Sequence, residues 1–155
     1  LVAQAYQETT GAEADLVLGD KSAMCAEVYS LAQLAETIDE QEKGYQAALT
    51  LARDLRDPAM QARIATSLAV LETRREGGDA QRMREELITA LQFARQVEQP
   101  DLIVEAVWWL AELDRLEGNI SSACAGFKVA LEIYKQLNHP DAEITQKRLE
   151  ALACA

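Results

Sequence analysis

The chain predicts an all-α fold, an α-solenoid of antiparallel helix hairpins with about eight helices. Three observations carry this expectation. First, hydrophobic residues make up 49% of the 155 positions, much of that alanine, and only seven glycines and three prolines interrupt them. Ala, Leu, Glu, Gln and Arg dominate, which are the residues that lose least on entering a helix. Second, the prolines stand at Pro58, Pro100 and Pro140, at intervals of 42 and 40 residues. Third, the motifs Leu31-Ala32-x-Leu34, Leu68-Ala69-x-Leu71 and Leu110-Ala111-x-Leu113 recur at intervals of 37 and 42. Downstream of each comes a large–small pair, Tyr45/Ala48, Leu87/Ala90 and Phe127/Ala130, ending ten residues before a proline. A period near 40 with two helices per period characterises α-solenoids.

Taken in order, a first helix is expected over 2–18, weakened at Thr9-Thr10-Gly11. A turn at Gly19-Asp20 should end it, because glycine accepts the left-handed conformation that closes helices. Hairpins then follow at 22–38 with 40–56, 59–76 with 79–98, and 101–117 with 120–137, and a last helix spans 141–153. The second and third hairpins turn at Gly77-Gly78-Asp79 and Gly118-Asn119, whereas the first has only Asp39-Glu40 at its corner. Asp57-Pro58 reads as an N-cap followed by the first helical residue, where a missing N–H is harmless. For Pro100 and Pro140 the following aspartates, Asp101 and Asp141, are the expected caps. Loops this short impose antiparallel neighbours. The whole is a single domain, 1–155: a half repeat at 1–19, repeats at about 20–57, 58–99 and 100–139, and a last helix in 140–155.

The formal net charge of −11 argues against a nucleic-acid partner, since phosphate neutralisation needs a basic face. The longest apolar run, Ala106 to Ala111, is far short of the ~20 residues of a membrane span, so no membrane partner is expected. The opening LVAQAYQETTG has neither the basic region nor the cleavage context of a signal peptide. The missing initiator Met suggests an excised or processed chain. Cys25, Cys124 and Cys154 are odd in number and widely spaced. They read as small buried hydrophobes in a reducing compartment, hence a cytoplasmic location.

In the third repeat, Leu110, Ala111, Gly118, Asn119, Ala123, Phe127 and Ala130 stand at the spacings of the tetratricopeptide repeat (TPR). The segment FKVALEIYKQLNHPDAEI resembles the second helix of the longer, ~40-residue variety found in kinesin light chains and bacterial regulators. Small residues let paired helices approach, and large ones fill the groove of the neighbour. The resemblance covers three repeats with a half repeat at each end. Ala35, Glu72 and Asp114 replace the aromatic that often stands four residues after the Leu of the Leu-small pair. HEAT-like hairpins share the period and remain an alternative.

The resemblance implies a right-handed superhelix whose concave face is lined by the first helix of each pair. That face would hold Tyr29, Ser30 and Gln33, then Arg63, Thr66, Ser67 and Val70, then Glu105, Trp108, Trp109 and Glu112, extended by Arg148 and Leu149. From this set the expected partner-binding groove is Trp108, Tyr29, Arg63, Val70, Thr66, Gln33, Glu105, Glu112 and Trp109. Val107, Leu110 and Ala111 are assigned to the seam. Trp108 is the expected anchor for a partner segment, and Trp109 the expected packing residue. Arg63, Arg74, Arg115 and Arg148 either attract a carboxylate-bearing peptide or pair with Glu72, Glu105 and Glu112, and pairing is the favoured reading. Some family members clamp a C-terminal carboxylate with lysines and asparagines. The matching positions here are Tyr29, Gln33, Ser67 and Trp109, so no such clamp carries over.

No catalytic, cofactor or metal site is expected. His139, the sole histidine, precedes Pro140 and reads as a turn residue. Gly77-Gly78 lacks the Lys-Ser/Thr of a phosphate loop, and the carboxylates read as solvated helix faces. The expected function is a non-catalytic protein–protein interaction scaffold that binds a protein or peptide. The alternatives are a ligand- or peptide-sensing domain of a larger bacterial signalling protein and a self-assembly module. In the last, end helices bearing Leu16, Val17 and Leu18, or Leu149 and Leu152, would pair as a homo-oligomer.

Overall fold

The computed structural model describes the backbone of residues 11–155 and side chains from residue 18 onward. Among the described residues there are seven helices and no strand: α1 (Gly11–Leu34), α2 (Ile38–Asp54), α3 (Pro58–Arg74), α4 (Ala80–Val97), α5 (Pro100–Leu116), α6 (Ile120–Gln136) and α7 (Asp141–Ala151). Each packs on the next, and α3 also touches α5. None of these helices is long and apolar enough to cross a membrane.

The expected turn at Gly19-Asp20 is absent, because α1 runs through it as one helix of 24 residues. A lone glycine costs a helix only about 1 kcal/mol relative to alanine, and good helix formers flank it without a proline. Residues 1–10 of the expected first helix lie outside the described residues. The first corner also differs. Asp39 and Glu40 belong to the first turn of α2, and Thr37 caps it by accepting the Glu40 N–H at 3.2 Å. The Thr-x-x-Glu spacing of a capping box was available in the sequence.

Asp57 caps α3 as expected, accepting the Met60 N–H at 3.0 Å with Pro58 at the first helical position. Asp79 caps α4 in the same way through the Arg82 N–H. The two other aspartates do not cap. Asp101 lies inside the first turn of α5, behind Pro100, and Asp141 opens α7. At α7 the imidazole Nδ1 of His139 accepts the Asp141 N–H at 3.1 Å, while the ring stacks on Tyr134 at 5.0 Å. The residue two before each proline is left-handed: Arg56 (φ 52°), Glu98 (φ 52°) and Asn138 (φ 51°). The proline repeat is thus also a repeat of backbone conformation, achieved without glycine.

The large–small pairs are all buried: Tyr45 and Ala48, Leu87 and Ala90, Phe127 and Ala130. Within the first and third hairpins a glycine meets the alanine of the Leu-Ala motif. A Cβ added at Gly44 would lie 2.5 Å from the Ala32 Cβ, and one at Gly126 would lie 2.8 Å from the Ala111 Cβ. Glu86 holds the equivalent place in the second hairpin, and burial raises its carboxyl pKa. The Leu-x-x-Leu positions divide differently. Leu68, Leu71 and Leu113 are buried, whereas Leu31 and Leu34 are 60% and 79% exposed. Leu68 and Leu71 pack on Tyr45, Ala48 and Ala52 of the preceding hairpin, and among the described residues no helix precedes α1 to cover its leucines.

Ion pairs join the first two hairpins along one edge. Glu42 binds Arg75 at 2.7 Å and Arg82 at 2.5 Å, and buried Glu72 faces both arginines and accepts the Asp79 N–H.

The reading of three free thiols holds only for Cys25, which is buried and donates to the Ala48 carbonyl. Cys124 and Cys154 form a disulfide with their Cα atoms 5.6 Å apart. Left-handed Ala153 (φ 52°) ends α7 and turns Cys154 back toward α6. A separation of 30 residues hides this proximity.

Candidate functional site

The first helix of each hairpin, α1, α3 and α5, contributes to one open cleft of about 240 Å³. Six of the nine expected groove residues line it: Tyr29, Gln33, Thr66, Val70, Glu105 and Trp109. Tyr45, Ser67, Leu71 and Arg74 complete the wall.

A directed hydrogen-bond chain crosses it. The Ser67 hydroxyl donates back to the Arg63 carbonyl (3.1 Å), so in its 3.0 Å bond with Tyr29 it accepts the phenol proton. The phenol oxygen in turn accepts from the Gln33 amide at 3.2 Å. Tyr29 leans on Tyr45 with ring centroids 5.6 Å apart, and burial raises the pKa of the Tyr45 phenol. Arg74 is held by the Gln41 amide oxygen at 2.9 Å. The Thr66 hydroxyl is turned to the Ala62 carbonyl of its own helix.

Glu105 also lines a second, smaller cavity of about 90 Å³ with Arg63, Asp101, Tyr134, His139 and Asp141. The residue reaches the surface, yet packing around its carboxyl raises the pKa. Arg63 opposes that rise, while Asp101 and Asp141 add to it. Buried Tyr134 is pushed up to about 12 by desolvation and by the charges of Asp141 and Glu105. Arg63 therefore flanks the main cleft without entering it.

Trp109 packs on the preceding hairpin as expected but also lines the cleft, whereas Trp108, the expected anchor, does not. Trp108 packs inward: its indole N–H donates to Thr145 of α7 at 3.2 Å, and its ring meets Phe127 edge-on at 5.6 Å. Arg148 of α7 lies over the same ring, 5.9 Å from its centre. Trp109 lines the cleft and rests on the cluster of Ala69, Met83, Leu87 and Leu113. Periodicity identifies which side of α5 each ring leaves, but not where α7 returns.

Glu112 does not line the cleft. It is buried, bound through both oxygens by Arg115 at 2.7 and 3.0 Å, and faced by Arg148 at 3.4 Å. Pairing thus occupies Arg115 and Arg148, while Glu72 pairs with Arg75 and Arg82 rather than with Arg74. Gln41, Tyr45 and Arg74 are members of the cleft wall or its support that the groove expectation missed. Tyr45 was legible as a core ring, and it also lines the cleft beside Tyr29.

The fold and cleft define a class: an all-helical chain of sequentially packed hairpins with a partly aromatic cleft across their first helices. No protein-family model matches the chain, and no curated protein matches it.

Proposed function

We propose that this chain is a non-catalytic protein-interaction module built of TPR-like hairpins in a right-handed superhelix, and that it takes a partner's extended segment in the cleft across α1, α3 and α5. The observation that supports this most is the convergence of Tyr29, Tyr45 and Trp109 on one open cleft whose rim carries Gln33, Ser67 and Arg74. Aromatic rings anchor partners at little entropic cost, and amide and guanidinium groups can pair a backbone. A volume near 240 Å³ suits one or two anchoring side chains. Trp109 replaces Trp108 as the anchor in this reading. The cytoplasmic expectation rests on free thiols, of which Cys25 is left, and in that compartment the Cys124–Cys154 bond would be reversible rather than permanent.

Selection of a random peptide library on the immobilised chain tests the proposal. Selected peptides should lose about 30-fold in affinity to Trp109→Ala, the equivalent of ~2 kcal/mol at an interface anchor. They should also be rejected by Val70→Arg. Peptides that bind both variants as tightly as the original chain would place recognition elsewhere.

A further inference from the structure

We propose that the Cys124–Cys154 disulfide is a redox latch that holds α7 down over Trp108. Three features of α7 make it dependent on such a bond. It has 11 residues, and only Thr145 and Leu149 are buried; isolated helices shorter than about 12 residues are marginal in water. Its docking rests on the Trp108–Thr145 hydrogen bond, the Arg148–Glu112 pair, Arg148 over the Trp108 ring, and Leu149 in the cluster of Ala111, Phe127 and Leu131, with Ala142 and Leu152 only partly buried beside it. And the bond lies just beyond its C-terminal end, fastening the chain to α6. Lys128, one turn after Cys124 on α6, also binds the backbone oxygen of Ala155, a second tie between α6 and the segment after α7.

Opening needs a dithiol reductant. Its thiolate attacks one cysteine sulfur, giving a mixed disulfide and releasing the other cysteine as a thiolate that takes a proton. The second thiol of the reductant then displaces the bound cysteine. The chain gains two electrons and two protons, and the reductant leaves as a cyclic disulfide. Closure is the reverse reaction with an oxidised dithiol. On chain-entropy grounds, a bond closing an interval of 30 residues changes the folded-to-unfolded ratio of that interval by roughly 500-fold. With the bond open, α7 leaves its seat in a measurable fraction of molecules and the Trp108 indole meets water. Cys25, buried in α1, is outside the exchange.

Hydrogen exchange on the whole chain, oxidised and then reduced with dithiothreitol, tests the latch. Amides of α7 should lose at least about tenfold in protection on reduction, while those of α3 and α4 keep theirs. Cys154→Ser should reproduce the reduced pattern under oxidising conditions. In a Trp109→Phe background, acrylamide quenching of the remaining indole should rise with reduction. Equal α7 protection in both states, or three titratable thiols after treatment with oxidised dithiothreitol, would overturn the proposal. So would a Cys154→Ser chain that behaves like the oxidised protein.

Discussion

Truncation of Trp108 to alanine is the sharpest probe of how the C-terminal half is held. The ring is half-buried, and besides the edge contact with Trp109, which truncation of either ring removes, three identifiable interactions leave with it. The indole–Thr145 hydrogen bond contributes about 1 kcal/mol net, the edge contact with Phe127 a further ~1 kcal/mol, and the Arg148 cation about 0.5–1 kcal/mol. A total near 3 kcal/mol matches the lower end of about 3–5 kcal/mol for removing a core aromatic. In a chain of this size each kcal/mol lowers Tm by about 2–4 °C, so Trp108→Ala should melt roughly 6–12 °C lower by calorimetry. Trp109→Ala, which removes a cleft ring with no hydrogen bond to another helix, should cost clearly less. A double-mutant cycle pairing Trp108→Phe with Thr145→Val should give a coupling of about 0.5–1.5 kcal/mol. Loss of less than ~1 kcal/mol on Trp108→Ala, or a larger loss on Trp109→Ala, would refute the inward assignment.

Other expectations follow from single contacts. Glu105 has a folded pKa above its unfolded value, so its ionisation opposes folding as pH rises through the folded pKa. Glu105→Gln should therefore raise Tm at pH 7, and that advantage should vanish below the ordinary carboxylate range, as read from melts at several pH values. A Cβ at Gly78 would fall 2.0 Å from the Glu72 carbonyl oxygen, which is backbone and cannot swing aside. Gly78→Ala should accordingly cost about 1–3 kcal/mol in urea titration. Glu98→Gly relieves a side chain from left-handed backbone and should gain up to ~1 kcal/mol in the same assay, less the entropy glycine adds to the unfolded chain.

The helices from α2 to α6 were legible to within two residues because proline, cap and glycine signals coincide with the apolar period. α1 was misread because Gly19 was taken as punctuation, although no second breaker accompanies it and the helix tolerates one glycine. The capping role of His139 was hidden because Pro140-Asp141 presents a more familiar cap beside it. At the cleft, the resemblance groups Tyr29, Gln33, Thr66, Val70, Glu105 and Trp109 on the first helices, and these six do line one cleft. Helical phase could not rank the two indoles, since their burial depends on the path of α7, which no pattern within α5 encodes. The resemblance puts Glu112 in the groove and Arg148 on the extension of the concave face, and the pairing of Glu112 with Arg148 and Arg115 keeps these residues out of the cleft. The disulfide depends on how the chain ends fold back, a non-local property.

Both tryptophans stand in α5, Trp108 against α6 and α7 and Trp109 against α3 and α4, while Tyr29 and Tyr45 stand in the first hairpin. Contacts here run almost wholly between successive helices, an arrangement in which segments can loosen separately. Indole fluorescence therefore watches the later hairpins, and tyrosine absorbance, through Tyr29 and Tyr45, adds the first. Two optical melting curves from one sample, displaced from each other, would be a property of the chain rather than an artefact of the instrument.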